Sequence, residues 1–192
     1  MKEFNICIDI DGTITEPFYW VDIANKTFNK NVKKDQVTEY SIHEVMGIEE
    51  CMWQEFYNKN KFKIHWKEKI RKDVRNVLNV LSARSNIYFV TARDKDLTAL
   101  TYLYLRKNEI PYDELFVLGN TYKVDKARQL NCDIFIEDCY ENAVQLSDAG
   151  FKVLLIDTSY NRKFLNDNIL RAYDWKDIYI VINNLLVKQQ AM

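Results

Sequence analysis

The chain has 192 residues, of which 47% are apolar and 29% charged, and its formal net charge is −1. That composition belongs to an ordinary globular protein with one good core. The charge balance gives no global case for binding nucleic acid or an anionic membrane. Four glycines and two prolines leave little length for flexible linkers, and no apolar run is long enough to span a bilayer. The N-terminus runs straight into a strand pattern with no signal peptide, so a cytoplasmic protein is expected. Cys7, Cys51, Cys132 and Cys139 lack zinc spacing; Cys7 lies in an apolar run and Cys132 just before another, which predicts buried free thiols.

In chain order, residues 4–10 read as a strand. Trp20, Ile23, Ala24 and Thr27 then follow at helical spacing, Gly47 marks a break, and Met52, Trp53, Phe56 and Tyr57 repeat the spacing. A stripe of Trp66, Ile70, Val74, Val77, Leu78 and Leu81 predicts a helix over 66–83. Strand 86–91 follows, then a helix carrying Leu97, Leu100, Thr101 and Tyr104, with Asp94 as its expected N-cap and Pro111 beyond its end. Further strands are predicted at 114–118, 133–137 and 152–156, and helices at 122–130 and at 140–149, the latter closed by Gly150. Asp174 should cap a last helix striped by Trp175, Ile178, Ile182, Leu185 and Leu186. The strands are short, β-branched and apolar on both faces, and they alternate with helices. This pattern predicts an α/β fold with a doubly wound parallel sheet. Residues 1–15 and 66–192 would form the core, and residues 16–65 a small helical cap inserted after the first strand.

The informative stretch is Ile6-Cys7-Ile8-Asp9-Ile10-Asp11-Gly12-Thr13. An apolar strand ends in two carboxylates one residue apart, and a glycine closes it. Acids held together at the open end of a buried strand need a cation or a proton. A Mg²⁺ site explains them economically, with one carboxylate free to attack phosphorus. An EF-hand loop does not fit, because its glycine comes two residues later and a helix precedes it. Ligands of doubly wound sheets bind outside the carboxyl ends of the strands. Strand two ends there at Thr91-Ala92-Arg93 and strand four at Glu137-Asp138, while Lys123 starts the helix leading to strand four. Carboxylates, a hydroxyl and a lysine at one sheet edge describe a site for a phosphate monoester.

These residues match, in order, the four motifs of the haloacid dehalogenase (HAD) superfamily of phosphohydrolases, which the chain resembles over roughly residues 4–157. Asp9-x-Asp11-Gly12-Thr13 matches the first motif, Thr91 the second, Lys123 the third and Glu137-Asp138 the fourth. Ile136-Glu137-Asp138-x-Tyr140-x-Asn142-Ala143 looks most like bacterial 5′-nucleotidases related to 5′(3′)-deoxyribonucleotidases. The resemblance implies that Asp9 is the nucleophile and forms an aspartyl-phosphate, and that Asp11 is the general acid and base. It implies that Asp9, the backbone carbonyl of Asp11, and Asp138 hold Mg²⁺. Thr91 and Lys123 would bind the phosphate, and Glu137 would steer water beside the metal. Asp11 would gain from a pKa raised by its acidic neighbours.

Other residues admit plainer readings. Lys126 also lies near the third-motif position. Arg93 could contact substrate or form a structural ion pair, and Phe18 or Tyr19 could stack on a base or simply fill a core. His43 and His65 lack ligand spacing and read as solvated or core residues, and the basic stretch Lys59–Lys72 reads as a solvated face. The function expected is a Mg²⁺-dependent phosphatase acting on a small phosphorylated substrate, a (deoxy)nucleoside monophosphate, with no membrane and no stable nucleic-acid partner. The competing readings are a polynucleotide 3′-phosphatase, which the basic stretch would serve, and a non-catalytic regulatory protein of the same fold.

Overall fold

The computed structural model describes residues 2–190. Six strands form one sheet: β1 (Phe4–Ile8), β2 (Ser85–Thr91), β3 (Glu114–Val117), β4 (Ile134–Glu137), β5 (Val153–Ile156) and β6 (Ile169–Ala172). Their order is β3-β2-β1-β4-β5-β6, and every pairing is parallel. The strand that carries the acidic motif is therefore central, flanked by the two strands whose ends carry the other motif residues. Side chains on β1 alternate between two cores. Ile6 and Ile8 pack with α4 (Val74–Ser82), α5 (Thr98–Lys107) and α8 (Trp175–Gln190), while Cys7 packs with α6 (Val124–Gln129) and α7 (Tyr140–Asp148). Helices thus cover both faces, as the apolar strands require.

Strand β6 was not expected. Its sequence Ile-Leu-Arg-Ala is short and includes a charge; Leu170 is exposed while Ile169 and Ala172 are buried, the half-covered pattern of an edge. The helix predicted over 66–83 is in fact two segments. Trp66 ends α3 (Glu50–Lys67), α4 begins only at Val74, and Ile70 forms an isolated antiparallel bridge with Thr15. The backbone explains the break: the Glu16 N–H donates to the Lys69 carbonyl and the Arg71 N–H to the Ile14 carbonyl, both at 2.8 Å. Asp73, with φ of +66°, turns the chain into α4. Asp94 is not a side-chain cap either. A 3₁₀ turn over Lys95–Leu97 precedes α5, and the Asp94 carboxylate accepts a bond from Lys61 Nζ at 2.8 Å. Asp174 does cap α8, accepting from the N–H groups of Lys176 and Asp177 at 2.8 and 3.0 Å.

Beyond the Thr15–Ile70 neck lie α1 (Val21–Phe28), α2 (Ile42–Met46) and α3, which share a small aromatic core of their own. Trp20 meets Trp53 edge-on at 5.8 Å between centroids, and Phe56 packs on both Trp53 and Phe28. Among the described residues, Tyr160, from the loop after β5, is the one sheet-side residue whose ring enters this cluster. Cys7, Cys132 and Cys139 are buried free thiols and Cys51 is an exposed one. No helix among the described residues is long and apolar enough to cross a membrane.

The C-terminal helix also anchors the acidic loop, since buried Trp175 donates from Nε1 to the Thr13 carbonyl at 3.1 Å. Trp175→Phe keeps most of the packing and orphans that carbonyl, at a cost of about 1–3 kcal/mol. Urea unfolding should show a lower midpoint with an unchanged slope; an unchanged midpoint would mean that the bond contributes nothing.

Candidate active site

The site begins where β1 runs out. Asp9 is still tied to the sheet, its N–H donating to the Ile136 carbonyl at 3.0 Å. The chain then wraps around one acceptor: the N–H groups of Thr13, Ile14 and Thr15 all point at the Ile10 carbonyl, at 3.3, 3.0 and 3.1 Å. Gly12 makes the wrap possible, with φ of +77°, and a Cβ there would lie 2.1 Å from Asp138 Oδ2. Glycine follows the second aspartate because the fourth-motif acid needs its space.

Asp9, Glu137 and Asp138 each bring a carboxylate oxygen within 4.8 Å of the others, and all three are buried. Lys123, the residue before α6, extends a fully buried side chain among them. Its Nζ donates to Asp9 Oδ1 at 2.5 Å and also to Glu137 Oε1. Lys126 points outward to Gln129 and over the Phe116 ring, so it takes no part. The second oxygen of Glu137 braces the turn before α7, accepting from the N–H groups of Asp138 and Cys139 at 2.9 and 3.2 Å, and Asn142 donates to the first at 3.0 Å. Glu137 thus sets the position of Lys123. Asp138 accepts from the Thr13 hydroxyl at 3.2 Å and from the Tyr160 hydroxyl, while Asn161 grips its carbonyl at 2.7 Å. Thr91 is buried at the end of β2, and its Oγ1 accepts the Arg93 N–H at 3.2 Å, leaving the hydroxyl proton free to donate.

Burial drives the Asp9 carboxyl well above the usual range; Lys123 pulls it back, and Glu137, Asp138 and Asp11 push it further. Burial and then Glu137 raise Asp138 to about 7, against the Tyr160 hydroxyl, Arg71 and Lys123. Three buried acids face the Lys123 ammonium and, at Asp138, the pull of Arg71, so positive charge is still short. An all-oxygen donor set with that deficit fits a hard divalent cation.

Asp11, two residues on, lies in a different environment. Arg93 Nε and Nη2 grip its carboxylate at 2.8 and 2.7 Å, and His65 Nδ1 lies 3.2 Å from Oδ1. Burial alone would raise its pKa, but Arg93 and His65 overrule it and hold the carboxyl well below the usual range. The expected upward shift is therefore reversed. The Arg93 side chain is buried and bonds Asp11, Glu68 and Thr101. The basic stretch is not a solvated face throughout. Lys61 is spent on Asp94 and Asp96, His65 is buried, and Arg71 Nε donates to the carbonyls of Gly12 and Thr15.

A cavity of about 110 Å³ opens over Asp11, Gly12 and Asp138, lined from the helical side by Tyr19, Trp20 and Tyr40. Phe18 is not in its wall; its ring packs edge-on against Tyr160 at 6.2 Å. Tyr160 is a site residue that strand-end reasoning could have found, because it follows β5 at the same sheet edge as the other motifs.

The sequence model of the family described as "5' nucleotidase, deoxy (Pyrimidine), cytosolic type C protein" matches residues 3–190. The chain belongs to this family. It is thus a HAD-fold phosphatase of nucleotidase type, a phosphoric monoester hydrolase. A protein of Clostridium acetobutylicum named as a nucleotidase is 55% identical over 192 residues, covering all of both chains. Among solved structures, a haloacid dehalogenase-like family hydrolase from Streptococcus pneumoniae has a TM-score of 0.69 at 16% identity, over 95% of this chain and all of that one. A candidate HAD hydrolase of Bacillus subtilis, whose structure is described as bound to magnesium, has a TM-score of 0.63 at 12% identity, over 95% and 100% of the two chains. These two likenesses carry the fold.

Gly12→Ala tests the packing of the acidic loop. The added methyl must displace Asp138 and hold a left-handed backbone, a strain of about 1–3 kcal/mol. A lower melting temperature and lost phosphatase activity are expected; wild-type values for both would show that the loop has room to spare.

Proposed function

We propose that this phosphatase hydrolyses (deoxy)nucleoside monophosphates through an aspartyl-phosphate on Asp9, with Mg²⁺ as cofactor. The observation that carries the reading is the Lys123 ammonium seated between Asp9 and Glu137. It holds the carboxylate of Asp9 at the mouth of the sheet and places a fixed positive charge beside any phosphoryl group that Asp9 attacks. Asp9, the Asp11 carbonyl and Asp138 would hold Mg²⁺, as the crowded oxygen donors and the magnesium-bound neighbour support. Bound there, the ion would neutralise charge on the phosphate.

In the first half-reaction an Asp9 oxygen bonds to phosphorus as the ester P–O bond breaks, and Asp11 passes a proton to the departing oxygen. Asp11 must acquire that proton, and the negative phosphate arriving beside it raises its affinity for one. In the second half the Asp11 carboxylate takes a proton from water as that water attacks phosphorus and frees Asp9. The Thr91 hydroxyl and Lys123 hold phosphate oxygens throughout.

Residues 16–65 act in this reading as the cap that reads the leaving group. The cavity beneath them, about 110 Å³, is far smaller than the ~300–1,000 Å³ of typical ligand pockets, so the cap must lift to admit a nucleoside. Contacts that would part include Lys61 with Asp94 and Asp96, and the Ser159 hydroxyl with the Val37 carbonyl. Tyr19, in the cavity wall, would stack on the base in this reading.

Phosphate release from a panel of nucleoside monophosphates, sugar phosphates and p-nitrophenyl phosphate tests the reading. Nucleotides should lead, chelator should abolish turnover, and Asp9→Asn should lower kcat by at least about 10³-fold. Sugar phosphates leading the panel, or activity surviving in chelator, would contradict it. Tyr19→Ala should cost about 1–3 kcal/mol on nucleotides, with little loss on p-nitrophenyl phosphate. Phe18→Ala should affect both substrates alike. A second readout needs no turnover: Mg²⁺ should raise the melting temperature of the wild type, and Asp138→Ala should remove that rise.

A further inference from the structure

Asp11, Arg93, His65 and Glu68 form a second charged cluster beside the phosphate site. They come from three parts of the fold: the loop after β1, the loop after β2, and the end of α3. Side-chain exposure is 1% for Arg93, 3% for His65 and 0% for Glu68, against 23% for Asp11, so only Asp11 looks into the cavity. A carboxylate and an imidazole buried behind an acid are costly to keep as a mere surface clasp.

The bonds show what they hold. Arg93 Nη2 is shared between Asp11 Oδ1 at 2.7 Å and Glu68 Oε2 at 2.6 Å, and Nη1 reaches the Thr101 hydroxyl at 3.3 Å. His65 Nδ1 bonds Glu68 Oε1 and lies 3.2 Å from Asp11 Oδ1, while its Nε2 pairs with the Tyr57 hydroxyl at 3.0 Å. The Tyr104 hydroxyl donates to the Glu68 carbonyl at 3.1 Å. The guanidinium fork fixes the plane of the Asp11 carboxylate. Glu68 in turn fixes both the fork and the imidazole.

We propose that His65 and Glu68 are positioning residues for Asp11, acting directly and through Arg93 to aim its carboxyl at the leaving-group oxygen. This rests on the reading of Asp11 as the acid and base given above. His65 belongs to α3, on the helical side of the neck, whereas Asp11 and Arg93 belong to sheet loops. Lifting α3 withdraws the imidazole from Asp11 and leaves the fork in place, so the full set of donors surrounds Asp11 only when the helical segment is seated. Proton transfer to the leaving group is thereby tied to closure.

The test uses two substrates of nearly equal size. Phenolate is a poor leaving group that needs a proton, and p-nitrophenolate leaves without one. Phosphate release from phenyl phosphate and p-nitrophenyl phosphate is compared for the wild type, Asp11→Asn, His65→Phe, His65→Asn and Glu68→Gln. Asp11→Asn should lose at least about tenfold more kcat/KM on phenyl phosphate than on p-nitrophenyl phosphate. His65→Phe and Glu68→Gln should show a smaller selective loss in the same direction. His65→Asn, which keeps a donor near the Nδ1 position, should recover most of it, and Glu68→Gln carries the test should His65→Phe fail to fold. Equal losses on the two substrates in both the His65 and Glu68 variants, with Asp11→Asn still selective, would reduce the cluster to a structural tie and overturn the proposal. An unselective Asp11→Asn would overturn the reading of Asp11, and this proposal with it.

Discussion

Three buried carboxylates answered by one ammonium is the constraint around which this molecule is arranged. Asp9 and Asp138 can share that space only because β1 and β4 are neighbours in the sheet and end together. Lys123 reaches them from the start of α6, Glu137 divides its two oxygens between that lysine and the start of α7, and Gly12 gives Asp138 room. The C-terminal helix contributes through Trp175, which holds the acidic loop by a carbonyl. Burial makes each negative charge expensive, and the remaining deficit of positive charge is what a divalent cation would supply.

Two aspartates separated by one residue are driven in opposite directions. Burial among acids raises Asp9, while the Arg93 fork and His65 lower Asp11 below the ordinary carboxylate range. Here the separation follows from topology: Asp9 faces the β4 side of the sheet end, where the other acids are, and Asp11 faces the β2 side, where the arginine is. The helical segment reaches the second group through His65.

The α/β class, five of the strands and the candidate residues of the phosphate site were legible in the sequence because each left a local mark. Acids at the ends of apolar runs, and a lysine at a helix start, need no tertiary knowledge to be noticed. The rest depended on distant partners. The direction of the Asp11 shift could not be read from its acidic neighbours, because Arg93, 82 residues away, decides it. His65 and Glu68 sit inside a basic stretch whose charge pattern suggested solvent; the only clue was their three-residue spacing at a helix end, which puts both on one side. The helix forecast over 66–83 failed because a continuous apolar stripe says nothing of the backbone bridge between 14–16 and 69–71. Strand β6 failed for the opposite reason, since an edge strand need not be apolar on both faces.

The central claim is that Asp9, and no other acid at this crowded edge, bonds to phosphorus. Rapid mixing with p-nitrophenyl phosphate and Mg²⁺, an acid quench within a single turnover, and peptide mapping by mass spectrometry would test it most directly. The phosphoryl group should be found on the peptide that begins the chain, at Asp9, in step with release of the first p-nitrophenol. A full turnover of p-nitrophenol with no phosphoryl group on the protein, or with the group on Asp11 or Asp138, would contradict the account.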